Sequence, residues 1–400
     1  MFVSLSQTRL VGARAKVEIS VKDIKVVRLE TFPASIAYSH VERSSRVNRS
    51  GVTDVVVKLT ADDGAVGWGE SCSGADTASI EVAVRSMAKF TVGRSPWDTE
   101  AIARDVFGAG LWDYRAMTGN FAFAGIDMAL WDLCGKAAGQ PLYRLFGGAQ
   151  REVVDYFYYL SQGLPEELAA QCRDGIARGY QCYYLKVGVD AAAEEEMLEA
   201  IRATIGPVAR IRIDANEAWS VPEAVRLLTR WHQRFDIDFA EAPVPAIPHK
   251  LMLDLRLRVP VALCANEGLG RQSDAVAMIE SHAADVLCFS SYWVGSLRRF
   301  HTLSNLASLH GQRVVKHTHG EFGIAAAAGQ HMMLALPNVD VGVQQTAQMM
   351  EDDVVVGRLP IADGPRWGVI DRPGLGVAVD EDKLQRYVEA YRKHGQFLPN

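Results

Sequence analysis

Three apolar runs, each ending in an acidic residue, follow one another at nearly constant intervals in the middle of this chain. The acids are Asp214, Glu241 and Glu267, with 27 residues separating the first two positions and 26 the last two. An interval of this length accommodates one strand, one helix and two short loops. Because parallel strands of such units end at the same edge of a sheet, the three carboxylates are predicted to converge on one point.

The wider pattern predicts a (β/α) barrel. From residue 153 onward, short apolar runs alternate with helical segments, which is typical of a parallel sheet built from βα units. Eight strands separated by seven helices are predicted, at 153–160, 182–187, 211–214, 237–240, 261–265, 286–290, 313–317 and 339–343. Eight strands imply a closed barrel, with functional residues expected at the strand C-terminal ends.

The first third of the chain follows a different pattern. Strand-like runs at 24–31, 53–60 and 65–70 predict an antiparallel meander, and helical segments follow at 77–90, 99–106 and 121–136. Residues 32–50 are polar and irregular, and we expect a functional or mobile loop there. A chain of 400 residues exceeds the size of one growing core. We therefore expect an α+β domain at 1–150, a barrel at 151–349, and a tail at 350–400 that packs on the first domain.

Composition excludes several classes of protein. The net charge of −6 and the lack of like-charge blocks argue against a nucleic-acid partner. Apolar stretches are too short to span a membrane, and Arg9, Arg14 and Lys16 interrupt the N-terminus, which argues against a signal peptide. The six cysteines are scattered and contain no CxxC pair, so they are expected to be reduced core residues. A cytoplasmic location is the default expectation.

Three converging acids predict a site for a divalent cation. Like charges held close together destabilise one another unless a cation or protons offset them. Mg²⁺ suits the set best, because it prefers oxygen ligands and keeps positions open for water or substrate. Asp214, Glu241 and Glu267 are the predicted ligands, and Asn216 is either an accessory polar group or a turn residue.

Two further strand-end residues are candidates for acid–base chemistry. Tyr184 and Lys186 alternate with Leu185 in the second barrel strand, so they share one face, and Lys186 could point over the cation. A lysine beside a divalent cation and aromatic rings is expected to have a lowered pKa, as a general base requires. His317 ends the strand five positions further on, and its alternative role is structural.

Together these residues resemble the enolase superfamily, in its mandelate racemase and muconate lactonizing enzyme branch. The resemblance covers nearly the whole chain. Besides the three acids it includes Gly67-Trp-Gly-Glu70, the segments at 126–136 and 139–148, Asp214-Ala-Asn216 and Arg372-Pro-Gly-Leu-Gly-Val377. It implies a modified (β/α)₇β barrel with an α+β capping domain formed by the N-terminal third and the tail. It also implies Mg²⁺ at the three acids, and removal of the proton α to a substrate carboxylate through an enediolate.

The sequence departs from the family pattern around that site. The Lys-x-Lys of the lactonizing subgroup reads Tyr184-Leu185-Lys186, and Trp293 stands where that subgroup has a lysine near the sixth strand. The racemase subgroup pairs its histidine with an aspartate, but that position is Ser290 here. Glu321 or Gln344 could orient the His317 imidazole instead.

The resulting hypothesis is a Mg²⁺-dependent dehydratase of a small hydroxylated carboxylic acid, such as a sugar acid or a hydroxylated amino acid. Lys186 would remove the α-proton and His317 would protonate the departing hydroxyl. A racemase or epimerase, a cycloisomerase and a degenerate metal-binding scaffold are the alternatives. On the capping segment, His40, Arg43 and Arg46 could recognise the substrate. A homo-oligomer is expected, as is common among relatives.

Overall fold

An antiparallel sheet forms the first layer of the protein. The fold is that of a computed structural model, which describes residues 23–46, 48–72, 76–108, 117–318, 320–357 and 364–397. Its first sheet has the order β1 (Val26–Arg43), β2 (Asn48–Ala61) and β3 (Val66–Cys72). The β-branched run Val55-Val56-Val57 is wholly buried at its centre, and Gly64, at φ +84°, makes the turn into β3.

The predicted loop at 32–50 is wrong for most of its length. β1 and β2 continue through it as one long hairpin, paired from Leu29 with Leu59 to Arg43 with Asn48, with a register shift between Ala37 and Glu42. Cross-strand pairing satisfies the backbone of a polar segment that hydrophobic pattern alone assigns to a loop. The tip of the hairpin therefore extends beyond the sheet and reaches the barrel.

Helices cover one face of this sheet. They are α1 (Thr77–Thr91), α2 (Thr99–Gly108), α3 (Thr118–Ala138) and α4 (Leu142–Leu145). α3 is buried from Gly119 to Gly135, as expected of a helix that is apolar on all sides and lies between two layers. It approaches β3 so closely that a Cβ at Gly69 would overlap the Gly125 carbonyl oxygen.

A curled, seven-stranded parallel sheet forms the second layer. A short strand, β4 (Val154–Asp155), precedes it and pairs with β12 (Arg366–Trp367). The strands of the seven-stranded sheet, in spatial order, are β5 (Tyr158–Leu160), β6 (Cys182–Lys186), β7 (Arg210–Asp214), β8 (Ile237–Glu241), β9 (Ala262–Ala265), β10 (Val286–Phe289) and β11 (Arg313–Lys316). The helices around it are α5 (Pro165–Ala177), α6 (Ala191–Ile205), α7 (Val221–Phe235), α8 (Lys250–Arg256), α9 (Gln272–Glu280), α10 (Ser291–Val294), α11 (Leu297–Leu309) and α12 (Gly323–Ala335).

The eighth position of the barrel is closed by isolated backbone bridges. Val339 bridges Val314 of β11, and Val343 bridges Tyr156, which precedes β5. The buried Arg212 guanidinium supports this closure. It donates to the Gly342 carbonyl oxygen at 2.6 Å and forms ion pairs with Asp238 and Asp340. The predicted strand at 339–343 is thus a bridging segment that completes the ring.

The end of the chain lies against the first sheet. α13 (Glu381–His394) packs on β1, and the Lys58 ammonium donates to the Glu381 carboxylate at 2.7 Å. Beyond the helix, the Phe397 amide donates to the Thr53 hydroxyl at 3.0 Å. Among the described helices, none combines the length and apolarity that a membrane span requires.

Both layers meet at Glu70, the last residue of the Gly-Trp-Gly-Glu segment. Its carboxylate accepts hydrogen bonds from the Phe322 and Ala325 amides, at 2.8 and 2.9 Å. These amides lie at the start of α12, where backbone N–H groups have no partner within the helix. A residue of the capping domain therefore caps a helix of the barrel.

Candidate active site at the mouth of the barrel

The three acids of the repeating pattern lie at adjacent strand ends. Asp214 is the last residue of β7 and is in register with Glu241, the last residue of β8. Glu267 follows β9 by two residues and begins a short 3₁₀ helix. Asp214 and Glu241 are each 1% exposed. Consecutive parallel strands thus place two buried carboxylates side by side and a third close by.

Hydrogen bonds through two polar residues connect the acids. The Tyr184 hydroxyl contacts both Asp214 Oδ2 and Glu241 Oε2, at 2.6 and 3.3 Å. The Asn216 backbone amide donates to Asp214 Oδ1 at 2.8 Å, and its side chain donates to Glu267 Oε1 at 2.9 Å. Tyr184 therefore joins the first pair of acids, and Asn216 joins the first acid to the third.

The electrostatics of the cluster fit a hard divalent cation. Burial, followed by the charge of Asp214, raises the pKa of Glu241 well above its usual range and that of Glu267 to about 7. Glu267 Oε2 is buried and has no hydrogen-bond partner within the described part of the chain. Carboxylate oxygens are the ligands Mg²⁺ prefers, and a cation here would offset the repulsion between the acids. Cys264 and Cys288 also lie beside Glu241, but thiols suit softer metals.

Lys186 lies directly beside this cluster. It ends β6 in register with Asp214, and its Nζ donates to Asp214 Oδ2 at 2.5 Å and to Asn216 Oδ1 at 3.1 Å. Burial acts to lower its pKa, but Asp214, Glu42 and Glu241 outweigh burial, so the protein groups raise it. The prediction from sequence is instead a lowered pKa, because it includes a divalent cation beside the lysine. The two positive charges of such a cation would oppose the effect of the carboxylates on the Lys186 pKa.

His317 follows β11 and is enclosed by two aromatic rings. Its ring centroid is 5.9 Å from that of Tyr292 and 5.4 Å from that of Trp293. The Tyr292 hydroxyl is 3.4 Å from Nδ1 and donates to the His317 carbonyl oxygen at 3.2 Å. Tyr292 is fully buried, so the Nδ1 side of the imidazole lies against the protein interior. Sequence reasoning missed Tyr292, which lies beside the imidazole.

The other residues proposed to support His317 have different partners. Ser290 caps α10, where its hydroxyl accepts from the Trp293 amide at 3.1 Å. Glu321 forms a buried ion pair with Lys316. The Gln344 side chain donates to Glu241 at 2.6 Å and accepts from the Thr318 amide at 3.1 Å. Gln344 therefore supports the acid cluster, and Glu321 secures the strand that precedes the histidine.

Trp293 forms part of the cavity wall. Its indole Nε1 donates to the Asn266 carbonyl oxygen at 2.7 Å, which fixes the ring between β9 and His317. The position that carries a lysine in the lactonizing subgroup thus presents an apolar face to the barrel mouth. The cavity there has a volume of about 200 Å³ and is also lined by Lys186, Glu267 and His317.

The capping residues predicted from sequence separate into two groups. Arg46, at the tip of the β1–β2 hairpin, donates to the Asn216 carbonyl oxygen at 2.6 Å and pairs with Glu217 at 2.6 Å, so it joins the hairpin to the barrel. Arg46 lines the catalytic cavity. His40 and Arg43 line a different, open pocket on the other side of Tyr159.

Three residues of the cavity wall were missed. Glu42 and Arg49 lie on the two strands of the hairpin and form an ion pair at 2.6 Å, and the Tyr159 hydroxyl donates to Glu42 at 2.8 Å. All three line the same cavity as Lys186 and His317. Glu42 and Arg49 lie in the segment predicted to be a loop, and no local pattern marks them, because their contacts depend on strand pairing and on the distant Tyr159.

Two family models match the chain. The model described as "Mandelate racemase / muconate lactonizing enzyme, N-terminal domain" matches residues 23–147, and the one described as "Enolase C-terminal domain-like" matches residues 167–383. The first ends close to the predicted domain boundary, and the second covers the barrel from α5 onward and reaches into α13.

Curated relatives with several activities are similar over most of the chain. D-galactarolactone cycloisomerase of Agrobacterium fabrum is 30% identical over 348 residues, covering 83% of this chain and 90% of that protein. L-Ala-D/L-Glu epimerase of Clostridium acetobutylicum is 29% identical over 365 residues, covering 89% and 98%. Arabinonate dehydratase of Saccharolobus solfataricus is 26% identical over 347 residues, covering 83% and 90%.

Solved structures share the fold over nearly the full length. An isomerase from Streptomyces coelicolor A3(2) has a TM-score of 0.80 at 28% identity, covering 92% of this chain and 99% of that one. Dipeptide epimerase from Enterococcus faecalis, in a complex with Mg and the dipeptide L-Leu-L-Tyr, has a TM-score of 0.82 at 22% identity, covering 88% and 99%. The capping domain and barrel are therefore an established architecture.

Proposed function

The chain belongs to the mandelate racemase and muconate lactonizing enzyme family of the enolase superfamily, and from this premise we propose that it is a dehydratase of a small hydroxylated carboxylic acid. The observation that carries the proposal is that Lys186 and His317 line one cavity from different sides of the barrel. Their strands, β6 and β11, are five positions apart in the sheet. A proton can therefore be removed at one carbon and another delivered at its neighbour.

Asp214, Glu241 and Glu267 would hold Mg²⁺, with the buried oxygen of Glu267 as one ligand atom. The ion would supply positive charge to the substrate carboxylate as its α-proton leaves. Tyr184, Asn216 and Gln344 keep the three carboxylates in place through the hydrogen bonds described above. They are positioning residues for the acids.

The proton transfers fall to the two cavity residues. Lys186, as the neutral amine, takes the proton from the α-carbon of the substrate. The electron pair of that C–H bond passes into an enediolate of the substrate, and then forms the Cα–Cβ double bond as the β-hydroxyl leaves as water with a proton from His317. The resulting enol, whose hydroxyl is the α-hydroxyl of the substrate, becomes a 2-keto acid by gaining a proton at the β-carbon and losing the proton of that hydroxyl. Trp293 supplies an apolar wall beside His317, which limits the access of bulk water.

Epimerisation is the second candidate, since the same two residues on opposite faces of an enediolate would invert the α-carbon. The identity of 29% with an L-Ala-D/L-Glu epimerase supports it. A cycloisomerase ranks third, although one relative has that activity, because Trp293 replaces the lysine of the lactonizing subgroup. A degenerate scaffold is disfavoured by the close approach of Lys186 to the acid cluster.

Solvent isotope exchange separates the candidates. The protein is incubated with Mg²⁺ and a library of hydroxylated carboxylic acids in D₂O, and recovered substrates and 2-keto products are measured by NMR. A dehydratase yields a 2-keto acid without inverted substrate. Deuterium exchange with inversion and no 2-keto acid would show that the enzyme is an epimerase.

Two variants test the proposed roles of Lys186 and His317. Lys186→Ala is expected to abolish both exchange and dehydration, because Lys186 is the only lysine among the described residues that line the cavity. His317→Asn is expected to keep α-deuterium exchange while reducing dehydration by at least about 100-fold, the lower range for a positioned acid. Dehydration that survives Lys186→Ala would refute the assignment of the base.

The proposal includes a cytoplasmic enzyme with a small carboxylate substrate, assembled as a homo-oligomer. Relatives crystallised with small ligands support the substrate size. Sedimentation velocity at micromolar protein concentration tests the assembly, and a single monomeric species would contradict it.

A further inference from the structure

The ion pair between Glu42 and Arg49 forms the wall of the catalytic cavity that the capping domain contributes. Glu42 Oε2 accepts from both Arg49 Nε and Nη2, at 2.9 and 2.6 Å, and Oε1 accepts from the Tyr159 hydroxyl at 2.8 Å. The side chains of Glu42 and Arg49 are 3% and 12% exposed. A buried pair with three hydrogen bonds on one carboxylate is a fixed part of the wall.

Glu42 is an anion in this environment. Burial acts to raise its pKa, but the charges of Arg49 and Lys186 outweigh burial and lower it. The same interactions place Glu42 close enough to Lys186 for their charges to interact across the cavity. The wall therefore carries one negative and one positive charge, and its net charge is zero.

This wall faces the part of the substrate that is remote from the reacting carboxylate. The proposed function directs that carboxylate to the acid cluster and Lys186, so the remaining carbon atoms extend toward the capping hairpin. Arg49 is the cation that a second carboxylate would need, but two of its N–H groups already bind Glu42. Arg46 is likewise bound to the Asn216 carbonyl oxygen and to Glu217.

A second carboxylate would meet two obstacles at this wall. It would compete with Glu42 for the guanidinium, and it would experience repulsion from the Glu42 charge, which is costly where water is excluded. A hydroxyl group meets neither obstacle, since it carries no charge and can donate a hydrogen bond to the Glu42 carboxylate without displacing Glu42 from the guanidinium.

We infer that Glu42 is a specificity-determining residue, which makes the cavity select polyhydroxylated monocarboxylic acids and reject the dicarboxylic acids of the same length. The inference rests on the proposed function for the orientation of the substrate. It narrows the substrate to an acid with one carboxylate at the reacting end and an uncharged, hydroxylated chain beyond it.

Matched pairs of sugar acids test the inference. Six-carbon aldonates and the aldarates of the same stereochemistry differ only at C6, where a CH₂OH replaces a carboxylate; gluconate with glucarate and galactonate with galactarate are two such pairs. Calorimetric binding with Mg²⁺ and kcat/KM are measured for each pair. The wild-type protein is expected to prefer at least one aldonate over its aldarate by about tenfold or more, the factor for about 1.4 kcal/mol.

Three variants test the role of the Glu42 charge. Glu42→Gln keeps the shape of the side chain and is expected to shift the ratio toward the aldarate by at least about tenfold, because the Glu42 charge then neither repels a second carboxylate nor competes with it for Arg49. The double variant Glu42→Gln/Arg49→Gln removes that cation and is expected to lose the gain. Glu199→Gln makes the same change at an exposed position of α6 that does not line the cavity, and should leave the ratio within about twofold.

Each outcome bears on the inference. An aldarate bound as well as its aldonate by the wild-type protein, or a ratio unchanged in a folded Glu42→Gln variant, would overturn it, as would failure of every aldonate to bind. Binding and α-deuterium exchange with aldonates but no 2-keto product would leave the inference standing and refute the dehydratase proposal. A gain that persists in the double variant would show that repulsion by Glu42 alone excludes the second carboxylate, and would overturn the role of Arg49.

Discussion

Tyr184 occupies a position where lactonizing relatives have a lysine, and its environment explains why a neutral residue works there. Its hydroxyl contacts both Asp214 and Glu241, and its ring stacks on Phe157 with centroids 4.4 Å apart. Burial and the charges of Asp214 and Glu241 raise its pKa well above the usual range, so the phenol keeps its proton. Tyr184 thus contacts two acids with one hydroxyl, whose proton points to the nearer Asp214, without adding a charge.

Glu241→Gln is expected to weaken Mg²⁺ binding by at least about tenfold, because it removes one charged ligand of three. The metal-free variant should be at least as stable as the wild type, because Glu241 is repelled by Asp214 and Glu267. Calorimetric titration measures the first effect and thermal unfolding in chelator the second.

Glu199→Gln is the matched control for that substitution, since Glu199 is exposed on α6 and pairs only with Arg234 among the described residues. Its Mg²⁺ affinity should equal that of the wild type. Equal affinity in the Glu241→Gln variant would instead contradict the assignment of the ligands.

Functional residues at strand ends could be predicted from the sequence. Residues whose positions depend on contacts with distant parts of the chain were missed. Asp214, Glu241 and Lys186 were predicted because each ends a strand whose apolar pattern is visible locally. Glu42 could not be predicted as a wall residue, because its partner Tyr159 is 117 positions away. Nor could Tyr292 be predicted as the neighbour of His317, since a helix of four residues sets its direction.

Among the secondary-structure elements, α11 shows a stabilising contact between layers. Asp127 of α3 accepts a hydrogen bond from the Leu297 amide, at the start of α11, at 2.7 Å. Burial, partly offset by that bond, raises the pKa of Asp127 to about 7.

This shift predicts a pH-dependent stability. Below about pH 4 the folded and unfolded states both hold the proton, so Asp127 adds no penalty. As the pH rises from about 4 to 7, the unfolded state releases the proton while the folded state keeps it, and the wild type loses stability. Asp127→Asn keeps an acceptor for Leu297 and cannot ionise. Its melting temperature should therefore rise relative to the wild type across that range.

The difference between the two melting curves, measured from pH 4 to 8, checks the prediction. Asp254→Asn is the control, because Asp254 is largely exposed on α8 and pairs with Arg258. It should show no such rise. A difference for Asp127→Asn that is independent of pH would contradict the assigned ionisation.

The long β1–β2 hairpin is the element that sequence patterns predicted least well. Burial does not alternate along β1, where residues 33–36 are buried in succession and 39–41 are exposed, so hydrophobicity alone gives no strand pattern there. The helices of the barrel lie between the predicted strands; α6, for example, runs from Ala191 to Ile205. A helix can be predicted from the local periodicity of its apolar residues. A hairpin that reaches another domain is harder to predict, because it depends on contacts with that domain.

For the whole molecule, closure of the barrel depends on a buried charge. Arg212 is fully buried, and its guanidinium pairs with Asp238 at 2.8 Å and with Asp340 at 3.1 Å. Arg212→Met would leave two carboxylates without this partner, and should destabilise the protein by about 3–5 kcal/mol. Arg210→Met is the control: Arg210 approaches the same two acids at 3.6 and 3.4 Å but is 39% exposed, so about 1 kcal/mol or less is expected.

Urea unfolding of both variants measures the difference. Equal destabilisation by the two substitutions would show that the buried pair does not close the ring. The boundary between the two domains at residue 150 stays a prediction, although the matches to the family models end and begin on either side of it.

Glu70 has a consequence for protein engineering by domain exchange. It belongs to the capping domain, yet its carboxylate accepts from the first amides of α12, the helix that follows His317. A chimera that joins this barrel to the capping domain of another protein must bring an acceptor to the same place. Without one, two backbone amides at the start of α12 would lose their partner, and the short segment that carries His317 would lose an anchor. Chimeras should therefore be chosen first by that carboxylate and only then by overall similarity.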